Sequence, residues 1–401
     1  MWRCSRSWTP CSPPVAITRR QFIGSATLAT TAGAAFWLSH NWPAATHDGV
    51  LLSGFEDLPG NQYVGGLVLP DGYAFGHKVP ARVHGNAIDP IRPQRVLFFA
   101  RRPGTDAFEF NLETLEVRNA FSTPKGRHLA GHGVFSSDGA VLFTAEHDFD
   151  TPRGVIAVRD ARNFRLIGEI ETRGIDPHEI AWLPGGKTLI VANGGILTHP
   201  RTFREKLNIP TMDPSLVVID AASGRCLEQL RLPDHLLSIR HLAVMQNGHV
   251  AVGLQYEGEP LAAPSVVALY RPGDEFRLLP VPESASKQLR GYVASIAASE
   301  PLGVIAAACP QGAGVARWSA DSGEFIDFVA ASEVYGVAAG RDGELLASQR
   351  DGTAFSMATG HSPRALSLHL PQPLRWDDHW SIAPASVRHL VPTATPSALI
   401  G

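Results

Sequence analysis

A hairpin signal that returns every ~40–60 residues constrains this chain more than any other feature. Apolar runs flank a turn dipeptide in 134–144, around Asp138-Gly139, and again in 180–191, around Gly185-Gly186. The unit recurs in 242–254 around Asn247-Gly248 and in 337–348 around Asp342-Gly343. Asp-Gly and Asn-Gly accept the positive φ that type I′ turns require, so hairpins of that type are expected. A second hairpin follows each first one, over 154–170, 215–230, 265–281, 314–329 and 353–368. Two hairpins make four strands per unit, the period of a propeller blade. Units fall near 83–121, 128–172, 178–232, 241–281, 292–329 and 335–370, and the ends 63–80 and 379–391 supply one more. Closure by both termini removes exposed sheet edges. The expected fold is an all-β, seven-bladed β-propeller of four-stranded blades closed by strands from both termini, with six blades as the alternative. The expected boundaries are a leader over 1–39, a linker over 40–62, the propeller over 63–395 and a tail over 396–401.

Composition supports a folded chain and narrows its partners. Hydrophobic residues make up 44% and charged residues 18%, which excludes a disordered chain. A formal net charge of −3 brings no basic excess that points to nucleic acid. The 38 glycines and 31 prolines follow no collagen period and mark turns. The sequence has no Cys-x-x-Cys-His haem attachment motif, no paired-cysteine zinc spacing, no P-loop, no dinucleotide fingerprint and no Gly-x-Ser-x-Gly elbow. Neither a nucleotide nor a covalently attached haem is expected.

The N-terminus reads as a leader. Thr18-Arg19-Arg20-Gln21-Phe22-Ile23 precedes an apolar, small-residue run over 24–38. That is export architecture, too short to span a membrane easily. Paired arginines before Phe-Ile resemble the twin-arginine signal, which exports folded proteins; a Sec leader is the alternative. A buried N-terminal helix is disfavoured because 24–38 lacks polar periodicity. Ala32-Gly33-Ala34 offers a cleavage site; left uncleaved, the leader is the one expected membrane contact. Cys4 and Cys11 lie in the leader, and Cys226 and Cys309 are expected as buried, unpaired thiols. A periplasmic monomer is expected.

Aligning the units on their first turn stacks one position: His84, His132, His178, His241, Tyr292, Tyr335 and His379. The fifth unit needs about two extra residues before its turn. Histidine is only 16 of 401 residues, so five histidines in seven equivalent places exceed what composition supplies. First strands are innermost in a propeller, so these side chains can face the central channel. Two readings stay open: structural pegs bonded to the neighbouring blade, or a metal or ligand site made by some of the rings. Imidazole is the commonest metal ligand. With metal–nitrogen distances near 2.1 Å a single ion takes only a few members of the ring. Iron or copper suits imidazole better than calcium or magnesium does.

Second strands end on the face where first strands begin. Glu146, Asn193, Gln255 and Gln349 occupy equivalent places there, with Arg101 and Gln311 nearby. His147, Asp148, Asp150, Arg153, His128, Arg240, Tyr256 and Glu257 crowd the same mouth. The loop 194–214, with His199, Arg201, Arg204 and Lys206, is long enough to be functional, or else it simply caps the mouth. The groups expected around the histidines are thus Glu146, Asn193, Gln255, Gln349, Arg153, Arg240, His128, His199, Tyr256, Glu257, Tyr292 and Tyr335, a polar funnel. Glu146 and Glu179 are the candidate acid–base residues if the mouth is catalytic.

Several segments resemble one family: Gly131-His132-Gly133-Val134-Phe135-Ser136, Asp176-Pro177-His178-Glu179, Val191-Ala192-Asn193-Gly194-Gly195-Ile196, Thr198-His199-Pro200, Ser238-Ile239-Arg240-His241-Leu242 and Gln255-Tyr256-Glu257-Gly258. Together they resemble the bacterial exported proteins catalogued as domain of unknown function 1513, over about residues 50–395. Glu146-His147-Asp148 and Thr151-Pro152-Arg153-Gly154 depart from that pattern, which has Glu-Asn-Asp and Thr-Gly-Arg-Gly. The resemblance implies a β-propeller with no established activity or catalytic residues. It also implies a periplasmic role near metal or redox chemistry, beside iron-handling proteins. The expected function is binding of a metal ion, iron or copper, or of a periplasmic redox or iron-handling partner, at the histidine mouth. The alternatives are a propeller enzyme, lactonase-like hydrolase or oxidoreductase, and a non-catalytic interaction scaffold.

Overall fold

A computed structural model describes residues 49–69, 71–262, 264–340, 343–358, 362–370 and 372–392. The expected leader and tail lie outside them. Seven antiparallel sheets form the described chain, six of them four-stranded in sequence order. Blade 1 comprises Val83–Ile88, Arg95–Ala100, Asp106–Asn111 and Val117–Ser122. Blade 2 comprises Arg127–Phe135, Val141–Asp148, Arg153–Asp160 and Leu166–Glu171. Blades 3, 4, 5 and 6 begin with Pro177–Trp182, Leu237–Val244, Ser295–Ser299 and Val334–Ala339.

Blade 7 closes the ring. Its inner strand comes from the C-terminus, as Leu374–Trp376 and Ser381–Ala383; its other three are Gly49–Asp57, Gln62–Leu69 and Tyr73–Val79. The segment expected as a linker therefore contains a strand. Val50, Leu51, Leu52 and Phe55 of that strand are buried, and Phe55 meets Trp376 edge-on at 5.5 Å.

The burial pattern explains the four-strand unit. Second strands such as Arg95–Ala100 are buried throughout, while the outermost strands such as Val117–Ser122 are partly exposed. Tryptophans tie three blades to their predecessors: the indole of Trp182 donates to the Phe135 carbonyl at 2.6 Å, Trp318 to Pro280 at 2.9 Å and Trp376 to Gly352 at 3.0 Å. A buried indole N–H needs such a partner, which makes it a directional peg. The first-hairpin turns differ from expectation. Gly139 has a φ of 64° and donates to the Ser136 carbonyl at 2.9 Å, but Asp138 is not left-handed. Type I′ needs positive φ at both central residues, so only the glycine supplies the left-handed step here.

Candidate functional site

The inner strands break register where the aligned residues fall. Extra residues enter between Val83 and Asn86, Leu129 and Gly133, Pro177 and Glu179, Ile239 and His241, and Val334 and Gly336. A bulge bends the strand and re-aims its side chain. These bulges therefore carry His84, His132, His178 and Tyr335, while in blade 4 the bulged residue is Arg240 and His241 follows it, paired with Gly253. His379 lies in the interruption of the blade 7 inner strand, where the Ser53 hydroxyl donates to its carbonyl at 2.8 Å. Tyr292 follows the short helix α1, Glu283–Leu289, and Val293 and Ala294 separate it from the inner strand of blade 5, Ser295–Ser299, which accounts for the two extra residues of that unit. Gly131, at φ 107°, makes the approach of blades 1 and 2 possible: a Cβ there lies 2.8 Å from His84 Cβ and Cδ2.

The five imidazoles converge. His379 lies 4.4 Å from His84, 4.8 Å from His132 and 4.6 Å from His241 between ring centroids, and His178 lies 4.8 Å from His241. The Nε2 atoms of His84 and His379 are 3.3 Å apart. Two ring nitrogens bound to one tetrahedral ion at metal–N near 2.1 Å stand about 3.4 Å apart. Three groups bring possible ligand atoms within 4.8 Å of one another: His84, His132 and His379; His132, His178 and His241; and His84, Asp377 and Asp378. Burial holds the rings neutral, which is the ligating form: His132 is lowered to about 4 and His241 to about 3, with His84, His178 and His379 also well below the usual range.

What stands behind each ring distinguishes them. His84 Nδ1 faces Asp377 at 3.4 Å. His241 Nδ1 faces Glu179 at 3.3 Å, and His132 Nδ1 faces the same carboxylate at 3.9 Å. A carboxylate behind Nδ1 draws the proton there and turns the Nε2 lone pair toward the centre, the outer support typical of metal-bound histidine. Burial pushes the Asp377 and Glu179 carboxyls up, opposed chiefly by Arg82 and His132 respectively. His178 differs. Arg240 Nη1 lies 3.1 Å from its Nδ1, and a guanidinium only donates. Nδ1 of His178 therefore accepts, and its neutral ring carries the proton on Nε2.

A cavity of about 190 Å³ opens above the cluster, with His84, His178 and His241 among its lining. Its other polar lining includes Arg101, Arg102, Arg204, Lys206 and Arg240 and, among the described residues, no carboxylate. Asp176 sits behind, accepting from Arg102 at 2.6 Å and Arg240 at 3.3 Å; burial alone raises its carboxyl, but the two arginines hold it below the ordinary range. Arg101 pairs with Asp378 at 2.9 Å, and Lys206 pairs with Glu257.

The expected surrounding groups divide. Gln255 accepts from Arg240 at 3.0 Å and lines the cavity with Tyr292, whose hydroxyl burial pushes up to about 12. Others turn away. Glu146 accepts from Arg159 at 2.6 Å and Thr144 at 3.1 Å; it is locked inside blade 2, because strand alternation points it between blades rather than at the axis. Asn193 donates to the Thr172 carbonyl at 2.9 Å, and Gln349 to Ser332 at 2.9 Å, so both fasten local turns. Arg153 pairs with Asp148 at 3.3 Å on the rim. His128 Nδ1 bonds the Leu129 carbonyl at 2.9 Å and its ring meets His147 at 5.2 Å. His199 accepts from Arg201 N–H at 3.1 Å as the cap of a single turn, and the Tyr335 ring lies under Arg350 at 5.7 Å. Half-exposed Tyr256 stays beside Asp234. No described hydrogen bond or ion pair joins these groups to the five histidines.

Sequence reading missed Asp176, Asp377, Asp378, Arg82 and Arg102. A signal was present: an aspartate stands two residues before a ring histidine in both Asp176-Pro177-His178 and Asp377-Asp378-His379.

Fold and site together define a class: a closed seven-bladed propeller with an axial histidine cluster under a basic mouth. Within that class, the chain belongs to the family described as "Protein of unknown function (DUF1513)", whose model matches residues 77–383. No curated protein matches the chain. Among solved structures it is similar to a chain of the "Crystal Structure of Mitotic Checkpoint Complex", at 10% identity and a TM-score of 0.53, covering 73% of this chain and 78% of that one. That likeness is one of fold alone. A chain of "Kuenenia stuttgartiensis Hydrazine Synthase" matches at 15% identity and a TM-score of 0.43, covering 73% and 97%.

Proposed function

We propose that this propeller binds a transition-metal ion at the axial histidine cluster, with His84, His132 and His379 as ligands through Nε2. The observation that carries the reading is the 3.3 Å separation of the His84 and His379 Nε2 atoms within a buried, neutral imidazole group. Neutral nitrogens so close repel unless a proton or an ion lies between them. Asp377 and Glu179 support the ligand rings His84 and His132 from behind. Iron and copper are the proposed ions, since an all-imidazole set with carboxylates at its edge suits them. By this reading the protein stores or passes the ion to a redox or metal-handling partner at the mouth. The sequence of residues 18–38 supports export through the twin-arginine route, placing this function in the periplasm.

Equilibrium dialysis of metal-stripped protein against Cu(II), Fe(II) and Zn(II) tests the proposal. The wild type is expected to take up one ion with at least micromolar affinity, and His84→Gln/His379→Gln to lose it by 100-fold or more. Equal uptake by the folded double variant refutes the site.

A further inference from the structure

The cavity above the histidines has a charge pattern that a metal site alone does not explain. Five cationic side chains line it, from Arg101, Arg102, Arg204, Lys206 and Arg240. They face four carboxylates within pairing distance: Asp378 at 2.9 Å and Asp377 at 4.0 Å meet Arg101, Asp176 meets both Arg102 and Arg240, and Glu257 meets Lys206. Those carboxylates stand behind their partners rather than in the lining. Arg204 has no ion-pair partner among the described residues, and burial together with Arg101, Arg102 and Arg82 lowers its guanidinium to about 10. It remains a cation near neutral pH, pressed toward three like charges. Buried Arg240 has an Nε atom with no partner. His178 lines the same space and, by the Arg240 contact, carries its proton on Nε2.

Two of the cations are delivered deliberately. Arg204 and Lys206 belong to the long loop 194–214, which is braced across its base: Leu197 N–H donates to Asn208 Oδ1 at 2.6 Å, Asn208 Nδ2 to the Gly195 carbonyl at 2.9 Å and Leu207 N–H to the Leu197 carbonyl at 2.9 Å. A compact surface loop tied by its own side chains holds its tip in place. Bringing a fourth and fifth cation over three arginines is unfavourable unless an anion offsets the repulsion, and guanidinium forks match the oxygens of carboxylate and phosphate.

We propose that this mouth binds a small polyanion carrying carboxylate or phosphate groups, seated between the loop cations Arg204 and Lys206 and the cavity wall of Arg101, Arg102 and Arg240, directly over the histidine floor. The cavity of about 190 Å³ accommodates a small organic acid or an inorganic phosphate rather than a lone water. The anion site depends on the cationic wall and not on a bound ion, so it stands even if the histidines hold no metal.

Calorimetric titration of metal-stripped protein, in 20–150 mM sodium chloride, tests this with citrate in one arm and pyrophosphate in the other. Stripping uses phenanthroline, because polycarboxylate chelators compete for the site. Saturable one-to-one binding is expected in at least one arm, weakened 10-fold or more in Arg204→Gln/Lys206→Gln and unchanged in Arg118→Gln, which removes an exposed charge elsewhere. The stronger arm identifies the group. Absence of saturation up to 5 mM in both arms overturns the proposal, as does equal affinity in the loop variant and the wild type. Metal uptake by His84→Gln/His379→Gln is scored separately, so failure of the ion site and failure of the anion site are told apart.

Discussion

Glu179→Gln separates a supporting role at the metal cluster from a merely structural one. The Glu179 carboxylate stands 3.3 Å from His241 Nδ1 and 3.9 Å from His132 Nδ1, and it accepts the Leu242 N–H at 3.2 Å. Glutamine keeps the volume and an oxygen for Leu242 but removes the charge that draws the two ring protons away from Nε2. Loss of one outer partner of a metal-bound histidine typically weakens affinity ~10–100-fold. Glu179 stands behind one proposed ligand, His132, so the range applies as it stands, about 10–100-fold or 1.4–2.7 kcal/mol. Stability moves the other way, if at all, because removing a buried charge whose carboxyl is already pushed up by burial relieves desolvation. Glu146→Gln is the matched control. It is more deeply buried, pairs with Arg159 at 2.6 Å and touches no histidine of the cluster. Breaking that pair leaves a buried guanidinium, a loss of about 3–5 kcal/mol. Dialysis for affinity and thermal melts for stability should therefore give crossed results. An unchanged metal affinity in Glu179→Gln would refute the support assigned to that carboxylate.

Three further outcomes follow from the same geometry. In metal-free protein, the unfolded imidazole titrates near 6.5 while His132 and His241 titrate at about 4 and about 3 when folded. Their contribution is intact above pH 6.5 and declines as pH falls toward those values, by at most ~1.4 kcal/mol per unit for each ring; melts from pH 7 to 4.5 should show a steady drop in Tm, and a flat profile contradicts buried neutral rings. Gly131→Ala should lose roughly 1–3 kcal/mol from its left-handed backbone, and also metal affinity, because the new Cβ lies 2.8 Å from His84; a variant with native Tm and affinity contradicts this. Removing residues 1–57 should abolish cooperative unfolding, since Gly49–Asp57 is the strand that pairs the two ends of the ring; a sharp native-like melt contradicts it.

The fold was legible because its signals are local. Each first hairpin announces itself in about a dozen residues, as in 134–144, and the blade count followed from their spacing. Gly49–Asp57 was read as linker because its C-terminal partners, Leu374–Trp376 and Ser381–Ala383, are distant in the chain; pairing at that separation leaves no local pattern. The histidine ring was legible because equivalent positions in a rotational repeat meet on one axis. The surrounding shell was only partly so. Glu146, Asn193, Gln255 and Gln349 are equivalent by alignment, yet only Gln255 reaches the cavity, because bulges in the facing inner strands shift which neighbour each side chain meets. Asp176 and Asp377 each stand two residues before a ring histidine, but that spacing recurs before only two of the five, and the groups they face, Arg102 and Arg240 for one and His84 for the other, are distant in the chain.

X-ray absorption spectroscopy of protein loaded with one equivalent of copper or iron tests the central claim most directly. The account predicts a nitrogen shell at about 2.0–2.1 Å with the outer scattering of at least three imidazoles, lost in His84→Gln/His379→Gln. A spectrum of oxygen ligands without imidazole scattering, or one identical in the double variant, contradicts it.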